Sequence, residues 1–199
     1  MKGSGRFSLA ALHALQLTIA CATQARAPAN QAPTVVESPP PGLNEIEVRE
    51  RVHNLLSEPS ASAADWKQLG PAASTVLEQT IKDARAPTAT RGRAVEALAQ
   101  VDDGEAAAKL ESIAQNGKVG ASLRSKAVAA LAEREGAASA QPIKPVLSDP
   151  NRQLREQAVR SLASVGGPDA RAALEERLPR EEDARLRELI QRSLARMQP

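Results

Sequence analysis

Aromatic side chains are nearly missing from this chain: its 199 residues include one phenylalanine, one tryptophan and no tyrosine. Large rings fill the interior of an ordinary compact globule. Here the core must close with small aliphatic groups, and much of the 42% hydrophobic content is alanine. The single cysteine, Cys21, excludes an intrachain disulfide. With only His13 and His53 beside it, the chain is short of the roughly four Cys or His ligands of a structural zinc site. An excess of one charge is also lacking. The 26 basic and 24 acidic residues leave a formal +2, too little for the electrostatic attraction that dominates nucleic-acid binding. The shortage of rings removes the stacking platforms that single strands need. Neither G-x-x-x-x-G-K-[ST] nor G-x-G-x-x-G occurs. His53, within VRERVHNLL, falls on a partly exposed helix face with no nucleophile assigned to it. Glu175-Glu176 and Glu181-Glu182-Asp183 read as solvated charge. No catalytic residue, metal ligand or cofactor is therefore expected, and nucleic acid is not an expected partner.

What is present begins with an export-like N-terminus. Lys2 and Arg6 precede the apolar stretch FSLAALHALQLTIACA, which His13 and Gln16 interrupt. It is too short and too polar for a transmembrane helix, and Ala25-Arg26-Ala27 follows as an A-x-A-like cleavage site. Residues 1–27 thus read as a signal peptide. Alternatively LTIAC resembles a bacterial lipobox with Cys21 as the lipidated residue, although Thr18 stands where that motif prefers a large aliphatic. Cutting after Ala27 would remove Lys2, Arg6 and Arg26 and no acid, turning +2 into −1. Residues 28–42, PANQAPTVVESPPPG, hold five prolines and little to bury. They read as a linker, spanning about 45 Å at ~3 Å per residue when extended.

Beyond it the chain repeats itself. Thr90, Leu123, Leu154 and Leu186 open successive helical segments. Arg91, Arg124, Arg155 and Arg187 follow them; Ala94, Ala127, Ala158 and Ile190 lie four residues on, and Leu98, Leu131, Leu162 and Leu194 eight on. Every column steps by 33, 31 and 32 residues, and the i, i+4, i+8 spacing places its members on one helix face. A period of this length marks stacked helical repeats, so the fold class is all-α, an α-solenoid or α-α superhelix. Each first helix is expected to stop at glycine (Gly104, Gly136, Gly166-Gly167) and to be followed by a second helix at 105–115, near 138–148, or at 169–178. Leu110, Ile113, Ile143, Leu147, Leu174 and Leu178 would point inward. Pro142 and Pro145 predict that the middle second helix is short or irregular.

LRSKAVAAL and SDPNRQLREQAVRSLASVGGPDARAAL, with their echoes, resemble the short HEAT-like repeats, the subclass also found in phycobilin lyases. The likeness spans residues 84–197, within a repeat region at 84–199. Ankyrin repeats would need a T-P-L-H-like turn, and tetratricopeptide repeats large aromatic knobs. Residues 43–83 read as a degenerate capping repeat, with PSASAADWKQ inserted and Trp66 covering the open end of the core. The resemblance implies an Asp–Arg ladder between repeats. Only Asp183 lies four residues before an arginine of the column; Asn151 and Gly120 hold the matching places, so an incomplete ladder is expected.

The outward residues of the second helices form the candidate partner-binding face, expected to be concave: Glu78, Lys82, Lys109, Ser112, Lys144, Arg171 and Glu175. This mixed polar surface suits a protein or extended peptide. The functional expectation is an exported, non-enzymatic, monomeric interaction scaffold of the bacterial envelope, periplasmic or secreted, meeting membrane only through a lipid at Cys21. A HEAT-like lyase or chaperone acting on a bound cofactor, and a structural spacer, are the alternatives.

Overall fold

The structure is a computed structural model that describes residues 43–197 except Pro59. The signal, the lipobox and the linker lie outside the described residues. Every regular element described is a helix. Five helices form a first row: α1 (Glu45–Ser57), α4 (Thr88–Leu98), α6 (Ala121–Glu135), α8 (Arg152–Val165) and α10 (Ala184–Arg196). The second row holds α3 (Gly70–Lys82), α5 (Ala106–Gln115), α7 (Ala140–Ile143) and α9 (Gly167–Arg177). A short α2 (Ala63–Lys67) lies in the insert between α1 and α3. Neighbours within the first row pack directly, α1 on α4, α4 on α6, α6 on α8 and α8 on α10. Second-row helices pack against the first helix that follows them, α3 on α4 and α5 on α6. This is the helix-pair stack that the periodicity predicts. Among the described residues no helix is long and apolar enough to cross a membrane.

The repeating columns build the core. Ala94, Ala127, Ala158 and Ile190 are fully buried, as are Leu98 and Leu162, with Leu131 at 1% exposure. Alanine recurs at the middle place because adjacent backbones of the first row approach there. Leu194 is only half-buried. A further column, Val95, Val128 and Val159, is buried in α4, α6 and α8, but its next place is the exposed Gln191. The outer side of α10 is therefore polar.

Gly136 (φ 53°) and Gly166 (φ 67°) end α6 and α8 as expected. Gly104 does not end α4. That helix stops at Leu98, and the chain turns through Val101 before reaching Gly104. The reason is Arg134 of α6, whose guanidinium donates to the carbonyls of Ala99 (3.0 Å), Val101 (2.7 Å) and Asp103 (2.7 Å). An arginine satisfies the frayed carbonyls that a left-handed glycine would otherwise help to close. The irregular middle unit is as the prolines predict: 3-10 turns at Gly136–Ser139 and Lys144–Ser148 flank the single turn of α7.

At the N-terminal end, Asn44 accepts from the N–H groups of Ile46 and Glu47 while Glu47 accepts from the N–H of Asn44, a capping box that starts α1. Ser62 and Asp65 form a second one for α2. That box fixes the short helix that carries Trp66, which is 5% exposed and part of the core. The ring is thus buried at the α1–α3 end of the stack.

Candidate functional site

The seven residues of the expected face differ in what they do. Glu78 pairs with Lys82 on α3, and Arg171 with Glu175 on α9 (2.9 Å). Lys144 reaches across to Glu176 of the next unit at 2.7 Å. Ser112 is exposed. These charges largely neutralise one another within their own row. Lys109 does not face outward. Its side chain is 16% exposed, and its Nζ donates to Ser74 Oγ (2.9 Å) and Asp103 Oδ2 (3.0 Å). A cleft that includes Lys144 encloses only about 30 Å³.

The Ser74–Asp103–Lys109 cluster brings a hydroxyl beside an amine and a carboxylate, so it must be tested as a nucleophile site. Burial alone would push the Asp103 carboxyl up. Hydrogen bonds from Ser74, from the N–H of Glu105 and from Lys109 outweigh it and hold the group at about 2. Burial would likewise lower Lys109, but Asp103 and Glu105 raise it above its ordinary value. A lysine held protonated cannot take the proton from serine, and Ser74 is fully buried. The cluster instead ties α3 to the α4–α5 turn. Among the described residues no group of three or more His, Cys, Asp or Glu is placed to hold a metal ion.

The arginine column has a structural task at every step. Arg91 donates to the carbonyl of Ile81 (2.8 Å), Arg124 to that of Ala114 (2.9 Å), Arg155 to that of Asp149 (3.0 Å) and Arg187 to that of Glu181 (2.9 Å). Each acceptor lies at or just past the end of the preceding second-row segment, where carbonyls lack helical partners. The ladder is present, but with other acids than expected. Arg124 pairs with Asp149, and Arg155 grips Glu181 with two bonds of 3.0 Å. Asp183 and Asn151 are N-caps, of α10 and α8, and Asp183 also pairs with Arg152 at 2.9 Å. Gly120 precedes α6 without a side-chain cap. Glu181 is not solvated charge. It is 3% exposed and accepts as well from Arg177 (2.7 Å) and the N–H of Asp183 (3.0 Å). Burial would raise its carboxyl, yet these partners hold it at about 2.

Roomier hollows lie elsewhere, along the first row. One of about 460 Å³ borders Gln100, Asp102, Glu133 and Arg134. A second, of about 380 Å³, runs between α1, α2 and α4, and a third, of about 430 Å³, lies between α6 and α8 at Ala132, Gln157, Arg160 and Ser164. Glu133 borders all three. Gln100 Nε2 donates to Glu133 at 2.9 Å, bridging α4 and α6. Sequence reasoning places no functional residue in these hollows. A signal did exist, because Gln100, Glu133 and Ser164 keep the 33 and 31 step of the core columns as polar residues.

Residues 118–195 match the family model of the HEAT repeats. The match begins just before α6 and ends within α10, so it covers the first-row helices α6 and α8 and nearly all of α10. No curated protein matches the chain. HEAT repeats generally mediate protein–protein interaction, which agrees with a protein partner. With the columns buried, the helix pairs stacked and the repeats matched, residues 118–195 are similar to the HEAT repeats.

Proposed function

We propose that this protein is an exported, non-enzymatic interaction scaffold or adaptor of the bacterial envelope that binds a protein or an extended peptide. The observation that carries the reading is the stack itself. Its two rows present long polar faces, and its buried polar groups are committed to joining one repeat to the next. A rigid helical stack offers contact area without chemistry of its own. Export rests on Lys2, Arg6, the short apolar stretch and Ala25-Arg26-Ala27.

Two measurements test the proposal. Expressed in a bacterium with its natural N-terminus, the protein should be found outside the cytoplasm, with the chain cut near Ala27 or blocked by an acylated Cys21. An intact Met1 in the cytoplasmic fraction would refute export. Affinity capture with the processed protein from the envelope fraction of its own cells should retain a saturable protein partner. Equal retention by a heat-unfolded control would refute the scaffold.

A further inference from the structure

The second-row segments all end on the same kind of side chain, with one exception. Asp83 follows α3, Asn116 follows α5, Asp149 follows the 3-10 turn Lys144–Ser148, and Glu181 follows the 3-10 turn Leu178–Arg180. These four places step by 33, 33 and 32 residues. At each, a side-chain oxygen accepts from the N–H two residues on, at 2.8, 3.0, 2.8 and 3.0 Å in turn. The places are therefore equivalent, and Asn116 alone carries no charge.

The ladder uses this column of acids. Arg124 pairs with Asp149, 25 residues on, and Arg155 with Glu181, 26 residues on. Asn116 stands 25 residues after Arg91. Its oxygen is taken by the N–H of Lys118, and its remaining polar group is an NH2, which cannot accept from a guanidinium. Arg91 accordingly bonds only the carbonyl of Ile81 and has no ion pair among the described residues. One rung of the ladder lacks its acid.

The same asparagine is the only one in the chain that precedes a glycine. Asn116 and Gly117 are both exposed, and the Gly117 N–H donates to no group among the described residues. Nothing lies within 4 Å of where a Cβ on Gly117 would stand.

We infer that Asn116 is a site of spontaneous deamidation, and that the aspartate it yields completes the rung at Arg91. The Gly117 nitrogen attacks Asn116 Cγ. The new C–N bond replaces the bond to the amide nitrogen, which leaves as ammonia with the Gly117 proton. Water then opens the five-membered imide, at Cγ to give aspartate or at the main-chain carbonyl to give isoaspartate. Ring closure brings the Gly117 nitrogen into line with Cβ, so ψ of Asn116 must leave its 102°. The folded turn therefore reacts more slowly than a free peptide, and a glycine in open space permits the swing. The inference does not depend on the scaffold reading.

The full chain, kept warm at mildly alkaline pH and then digested, should show amide-to-acid conversion at residue 116 ahead of every other asparagine. Gly117→Ala, which meets no steric obstacle, should largely abolish it. Asn116→Asp supplies the product directly. It should melt about 1–3 °C above wild type, the gain of a partly exposed ion pair, and lose that gain at high salt. In an Arg91→Gln background the same substitution should bring no gain, because a carboxylate at a helix C-terminus is unfavourable without its cation. No conversion at residue 116 while the free peptide of this turn converts, or equal conversion in Gly117→Ala, overturns the modification site. A melt no higher than wild type, or the same gain without Arg91, overturns the completed rung.

Discussion

At the scale of single residues, the buried charges decide how the protein responds to acid. The folded carboxyls of Glu181 and Asp103 lie at about 2, below their ordinary 4.5 and 3.8. A carboxyl depressed by folding adds stability above its unfolded value, and the contribution is lost as pH falls through the folded one. At neutral pH Asp103 should supply on the order of 2 kcal/mol and Glu181 on the order of 3. Urea unfolding at stepped pH should therefore show stability steady above about pH 5 and falling steeply from about 4.5 towards 2. Glu181→Gln should cost about 3–5 kcal/mol at pH 7, because it leaves Arg155 and Arg177 without their charge partner. Its acid slope should also flatten. An unchanged slope would mean that Glu181 titrates alike in the folded and unfolded states.

Among the helices, two glycines that look alike in sequence should respond oppositely to alanine. Gly136 ends α6 with φ 53° and ψ −130°, a region that side chains avoid. Gly136→Ala should cost about 1–3 kcal/mol through backbone strain alone, since the space around it is open. Gly92 lies inside α4, where a Cβ would meet only the flexible end of Lys126 at 3.0 Å. Gly92→Ala should stabilise by up to about 1 kcal/mol as helix propensity rises and the lysine moves aside. Thermal melts of the two variants, shifted in opposite directions, check both. Much at this scale was legible in sequence, because Leu98, Leu131 and Leu162 recur as the same residue at the same step. The end of α4 was not. It is set by Arg134, more than thirty residues away, and no local pattern at Gly104 reveals that.

Over the whole molecule, the stack should be most sensitive at its centre. Leu131 and Leu162 are enclosed by neighbours on both sides, while Leu194 in the last described helix is half-buried. Alanine at either central position should cost roughly 2–5 kcal/mol, and at Leu194 clearly less. Denaturant titration gives the order, and a larger loss at Leu194 would contradict a stack whose helices follow one another in chain order. The ladder and the groove show where sequence reading stopped. Asp149 and Glu181 differ in length and type, so no column of identical residues announces them. The groove between α1, α2 and α4 depends on an insert, and it becomes visible only when the helices are seen side by side.

The arginine ladder carries a consequence for how such a chain can grow. Arg124 finds Asp149, and Arg155 finds Glu181, each within its own helix pair, while the other bond of each arginine goes to a backbone carbonyl that any sequence supplies. The unit from α6 to Asp149 is thus a cassette that brings its own counter-ion. Copying it in tandem would lengthen the array with the ladder's own pair intact in every copy, so gene duplication can change the reach of the protein without breaking the ladder.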